Sequence, residues 1–171
     1  MLAATAPLRK AITGGVKWTP AAHMHLTLKF LGEFDAAHMA QLQEKLAGAC
    51  TAIGPIETAA TTTGYFPPKG AARILWYGIE AAPALIQLAR LVEDACASFG
   101  YAREKRPFSP HFTIGRVRRD ASPAELRTIQ QALNAFAPKE RHAFTITNLH
   151  FVHSTLTPSG PEYRDLFAIP L

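Results

Sequence analysis

The sequence predicts an α+β fold of two related lobes, each a mostly antiparallel sheet backed by helices, with a central cleft between them. Three observations predict it. Four segments carry apolar residues at helical spacing, with strand-like runs between them. The order of elements in one half is repeated in the other. Hydrophobic residues make up 48% of the 171 positions and charged residues 18%, enough apolar material for a substantial core and too little polarity for disorder. The length suits one bilobal domain covering residues 1–171.

The helix signals come in order. Residues 2–13 are the weakest, stopped by Gly14-Gly15. Residues 36–53 place Met39, Leu42, Leu46, Cys50 and Ile53 on one face, with Asp35 as the cap. Residues 84–99 carry Leu85, Leu88, Leu91, Val92, Ala95, Cys96 and Phe99, and Gly100 stops them. Residues 123–136 have the clearest start: Ser122 caps, Pro123 takes the first turn and Glu125 completes a capping box. Leu126, Ile129, Leu133 and Phe136 are the buried stripe, and Pro138 ends it.

Strands are expected at 25–31, 56–66, 73–80, 111–117, 143–153 and 163–169. Pro67-Pro68-Lys69-Gly70 reads as a turn and residues 157–161 as a loop. Strand, helix, His111 strand, helix, strand form the second half. The first half matches it but lacks the opening strand. Met1 falls where the opening helix is already due, which points to a truncated or misassigned start with an exposed sheet edge.

Composition narrows the function classes. No apolar run approaches a membrane span. Arg9 and Lys10 follow the mildly apolar start instead of preceding it, the wrong order for a signal peptide, so a cytoplasmic protein is expected. Cys50 and Cys96 match no metal or redox spacing and read as small core residues. The formal charge of +5 fits an anionic partner. Arg103, Lys105 and Arg106 precede one histidine motif, and Arg116, Arg118 and Arg119 follow its start.

The two halves also repeat a chemical signature. His25-Leu26-Thr27-Leu28 opens one predicted strand and His111-Phe112-Thr113-Ile114 its counterpart. Side chains alternate along a strand, so His25 shares a face with Thr27, and His111 with Thr113. A twofold relation between lobes brings the pairs together across one cleft. Two histidines on opposite sides of a phosphorus can divide the work of opening a cyclic phosphate. One, neutral, takes a proton from water; the other, protonated, gives one to the leaving ribose oxygen. The threonine hydroxyls can donate to the non-bridging oxygens. No metal or cofactor is required. His23 stands two residues before His25, but Ser109 holds the matching place before His111. His38, His142, His150 and His153 have no counterparts and read as surface or strand-face residues.

The sequence resembles the two-histidine phosphoesterase superfamily, specifically the RNA 2′,3′-cyclic phosphodiesterases, also called the 2′-5′ RNA ligase family. The resemblance rests on Val16-Lys17-Trp18, on His25 through Glu33, on Ile74-Leu75-Trp76 and on Pro110 through Val117. The chain's end, from Gly160 to Leu171, also fits. It spans nearly the whole chain. It implies that His25 is the proton donor to the 3′ oxygen, that His111 is the base for water, and that the product is a 2′-phosphomonoester. It implies Thr27 and Thr113 as phosphate-holding residues, and Arg116 as a further phosphate contact. Strict alternation turns Arg116 away from His111, so that contact requires a bulge or a strand end. Phe30 is either a base-stacking residue or a core one. Lys29 is either a source of positive potential on the His25 face or a solvated lysine.

The expected partners are RNA ends or small cyclic-phosphate nucleotides, handled by a monomer away from membranes. Two alternatives stand beside hydrolysis. One is a nucleotide- or RNA-end-binding module without turnover. The other is a related enzyme of the same superfamily, a 2′-5′ RNA ligase or another cyclic-nucleotide phosphodiesterase.

Overall fold

The computed structural model describes residues 2–138, 140–157 and 160–171. The α+β class holds. Two compact units are present, and each draws on three separate stretches of chain.

The first unit is residues 1–27, 59–80 and 109–143. Its strands are β1 (Val16–Trp18), most of β2 (Ile56–Phe66), β3 (Ile74–Ile79) and β4 (His111–Val117). With β5 (His142–Ile146), whose first two residues belong to this unit, they make a five-stranded sheet in the order β1-β4-β3-β2-β5, in which the β1–β4, β4–β3 and β3–β2 pairs are antiparallel. The expected Pro67–Gly70 turn joins β2 to β3. Helices α1 (Leu2–Ala11) and α4 (Pro123–Ala135) pack against each other. Leu8, Ile129 and Leu133 from the helices, Ile12 just past α1, and Leu75, Tyr77 and Ile114 from the sheet are buried. Burial of this kind contributes about 1.5–3 kcal/mol per large side chain.

The start of α4 is as its sequence dictates. Ser122 Oγ accepts from the Glu125 amide, while the Glu125 carboxylate accepts from the Ser122 amide at 2.7 Å, the reciprocal capping box.

The second unit is residues 28–58, 81–108 and 144–171. It holds α2 (Met39–Thr51), α3 (Pro83–Ala97) and the antiparallel pair β6 (Asn148–Thr157) and β7 (Gly160–Pro170). Helix α2 packs on α3 and on β7. Leu42, Leu46, Cys50, Leu85, Leu88, Val92, Cys96 and Ile169 are buried. Both thiols are free, and burial pushes both pKa values up, as core cysteines require. Asp35 caps as expected, accepting from the Ala37 amide, but it caps a short 3-10 turn that precedes α2.

Three expectations are corrected. The strand at 25–31 shrinks to one isolated bridge at Leu26. Pro20, which has no amide proton to give, opens a 3-10 turn that carries the chain off the sheet edge after β1. Past Thr27 the chain enters the second unit. The strand at 143–153 is two strands, because the chain leaves the β2 edge at Thr147 and then pairs with β7. Strand β1 was not expected at all: three residues are too short to show a period. Of the expected loop at 157–161, Pro158 and Ser159 lie outside the described residues. No described helix is long and apolar enough to cross a membrane.

Candidate active site

Leu26 lies opposite Phe112 in an antiparallel bridge. Residues directly opposite each other share a face, and their neighbours in sequence take the other one. The bridge therefore sets the first motif beside the second and turns His25, Thr27, His111 and Thr113 to the same side. Exposure agrees: His25 and Thr27 are exposed, whereas Leu26 and Leu28 are half-buried. All four polar residues lie within the first unit.

The two imidazoles are held alike. His25 Nδ1 is 2.9 Å from the His23 carbonyl oxygen, and His111 Nδ1 is 2.7 Å from the Ser109 carbonyl oxygen. A carbonyl only accepts, so each Nδ1 carries its proton and donates it. Proton exchange is thereby left to Nε2 on both rings. His23 thus serves through its backbone, as Ser109 does. That is why the two motifs need no matching side chain at this position.

Arg116 comes to the same face through a bulge. Trp76 pairs with Thr113 but Leu75 pairs with Gly115, which leaves Ile114 as an extra residue in β4. The extra residue resets the alternation, so Arg116 lies opposite Ile74 and on the His111 side. Gly115 is suited to the bulge, since a Cβ there would stand 2.8 Å from Val16 Cγ1 and 3.2 Å from Trp18 Cε3. Lys17 of β1 pairs with Arg116 and adds a second cation to this face.

Sequence reasoning missed an aromatic pair beside His111. Phe66 meets its ring edge-on, with centroids 5.2 Å apart, and Trp76 lies 6.5 Å away. Register was the missing signal: Gly64 pairs with Trp76 and Gly78 with His111, which puts these β2 and β3 residues on the site face. The indole Nε1 is buried without a hydrogen-bond partner among the described residues.

Other expected residues fall as follows. Phe30 is 77% exposed, which removes the core reading. It belongs to the second unit. Lys29 is neither solvated nor a source of open positive potential. Its side chain is 3% exposed, pairs with Glu93 at 2.9 Å and donates to the Ala102 carbonyl. Arg118 pairs with Asp120 and Glu125. His150 pairs with Asp165, and His142 packs edge-on against Tyr77, so both have structural partners outside the motifs.

Residues 5–157 match the 2′-5′ RNA ligase superfamily. The chain belongs to that superfamily. Among its relatives is an RNA 2′,3′-cyclic phosphodiesterase of Geobacillus stearothermophilus, 32% identical over 154 residues; the match covers 90% of this chain but only 47% of that protein. Another, of the same name from Archaeoglobus fulgidus, is 31% identical over 162 residues, covering 94% of this chain and 88% of its own. Two solved structures share the superfamily fold. Escherichia coli LigT in complex with 3′-AMP aligns with a TM-score of 0.77 at 21% identity, covering 99% of this chain and 90% of its own. TT0787 of Thermus thermophilus aligns at 0.73 and 23%, covering 99% and 91%.

Proposed function

We propose that this protein is an RNA 2′,3′-cyclic phosphodiesterase that opens terminal cyclic phosphates to 2′-phosphomonoesters. The observation that carries this reading is the Leu26–Phe112 bridge, which gives two His-x-Thr motifs one common face. The names of the superfamily relatives support the same substrate class.

In this mechanism His111, neutral and protonated on Nδ1, takes a proton from water at Nε2. The water oxygen attacks phosphorus in line with the bond to O3′. His25, protonated, gives its Nε2 proton to O3′ as that bond breaks. Thr27 and Thr113 donate to the non-bridging oxygens, where charge accumulates in the transition state. Arg116, brought round by the bulge, supplies positive charge to the phosphate. Phe30 offers its exposed ring to a base. The reaction ends with the protons exchanged between the two histidines, and solvent restores them.

The test is incubation with an RNA bearing a terminal 2′,3′-cyclic phosphate, followed by identification of the monoester. A 2′-phosphate is expected. Recovery of the intact cyclic end would overturn the reading, and a 3′-phosphate would overturn the assignment of His25 to the O3′ side.

A further inference from the structure

The first unit has a pocket of about 530 Å³ on the face of its sheet turned away from the histidine motifs. Tyr77 of β3 places it there. Tyr77 pairs directly with Phe112, and both side chains take the face opposite to that of His111 and Trp76. Apolar groups make most of the walls: Ala4 and Pro7 of α1, and residues 135–138 where α4 ends. Pockets of this size and lining are the kind that take small molecules. Among the described residues, no lysine or arginine lines it, and Glu140 is its one carboxylate.

Two polar features select the occupant. The first is Tyr77, which is fully buried and whose hydroxyl has no hydrogen-bond partner among the described residues. A hydroxyl taken out of water and left unpaired is costly, which is why buried ones in native proteins are nearly always bonded. Burial pushes the phenol's pKa up, so it stays protonated and offers a donor. His142, also in the wall, meets the Tyr77 ring edge-on with centroids 6.2 Å apart. The second feature is Glu140, exposed and without an ion-pair partner among the described residues. The neighbouring Arg141 does not serve it, because its guanidinium grips Glu80 through hydrogen bonds of 2.8 and 2.6 Å.

An anion would meet the Glu140 carboxylate and find no lysine or arginine, so this is not a second phosphate site. A wholly apolar molecule would leave the Tyr77 hydroxyl unpaired. A cation with an apolar body and an oxygen answers both features. We infer that this pocket binds a small hydroxylated arylalkylamine, with its ring among the apolar walls, its ammonium at Glu140 and its oxygen accepting from the Tyr77 hydroxyl. The inference stands apart from the proposed function, since it uses the other face of the sheet.

The experiment is isothermal titration calorimetry of the whole chain with three probes. Tyramine has all three groups, phenethylamine lacks the oxygen, and para-hydroxyphenylpropanoate carries a carboxylate in place of the ammonium. Tyramine is expected to bind with a Kd of about 1 mM or below, an affinity within reach of a ligand of its size. The propanoate is expected to bind more weakly by about tenfold, since it sets like charge against Glu140. Tyr77→Phe weakens tyramine by about fivefold, the share of one neutral hydrogen bond, and leaves phenethylamine unchanged. Glu140→Gln weakens both amines by about threefold at low salt, as loss of one exposed ion pair does. Thermal unfolding adds a measurement without ligand: Tyr77→Phe removes an unpaired hydroxyl, so its Tm is not below the parent's. No binding of tyramine, or equal binding of the propanoate, would overturn the inference. So would a Tyr77→Phe variant that loses both amines alike, or one whose Tm falls, since the hydroxyl would then be paired in the free protein.

Discussion

The Trp76 indole lies across the backbone of Gly64: a Cβ on Gly64 would come within 2.3 Å of Cζ2 and 2.6 Å of Cη2. A Cβ on Gly78 would meet Thr62 Oγ1 first, at 2.4 Å, and the indole Cζ3 next, at 3.1 Å. Gly64 thus makes room for one large ring beside His111, and Gly78 for that ring and the Thr62 side chain together. Gly64→Ala must push the indole off the sheet. Overpacking of this kind costs about 1–3 kcal/mol, or a drop of several degrees in Tm for a chain of this size. Thermal unfolding followed by tryptophan fluorescence reads it, and a Tm equal to the parent's would contradict the close packing.

The matched imidazole hydrogen bonds lead to a kinetic expectation. His25→Ala and His111→Ala each remove one of two coupled proton transfers, so each lowers kcat by about 10²–10⁴. The double variant falls little further, because the second group has no task once the first is gone. The parent's pH–rate profile is expected to be bell-shaped, and its activity is expected to survive EDTA. A single variant that retains most of the parent rate would end the acid–base assignment.

What could be read in the sequence divides along physical lines. The α4 boundaries, the buried stripes of α2 and α3 and the β2–β3 hairpin followed from local periods and capping residues, which act within a few positions. The paired motifs were visible because they repeat. The bulge at Ile114 was foreseen only as a requirement of Arg116. Its location depends on pairing with β3, a long-range relation with no local mark. Trp76 and Phe66 were missed for the same reason: what makes them neighbours of His111 is strand register, not spacing. The strand at 25–31 was over-read because its alternation is real but finds a single partner, at Phe112.

Arg116 separates charge from geometry. It is exposed and reaches the site face through the bulge. Arg116→Ala is expected to lower kcat/KM on a cyclic phosphate by about tenfold to a hundredfold, the size of one lost charge-assisted contact of about 1.5–3 kcal/mol. Arg116→Lys should recover part of this, since a point charge remains while the planar fork is lost. Steady-state kinetics of the three proteins decide it. A lysine variant no better than alanine would mean that the guanidinium geometry, not its charge, is what matters.

The capping box at Ser122 carries a pH dependence whose sign is determined. Hydrogen bonds from the Ser122 amide first, and from its hydroxyl second, hold the Glu125 carboxyl below its ordinary value of 4.5; the Arg118 charge adds to this, and burial opposes it. Glu80 is lowered likewise, chiefly by the Arg141 hydrogen bond. A depressed folded-state pKa means that the unfolded chain binds more protons in mildly acidic solution. The stabilisation is therefore complete above about pH 4.5 and is lost as pH falls through the folded-state value. Urea unfolding of the parent should show stability declining in that window. Glu125→Gln keeps the shape but cannot titrate, so its decline is shallower, with the Glu80 share remaining. Ser122→Ala removes the cap itself and costs about 1 kcal/mol at neutral pH, where the glutamine variant retains more of the cap. If Glu125→Gln loses stability toward acid as steeply as the parent, the Ser122 hydrogen bonds are not what depresses the carboxyl.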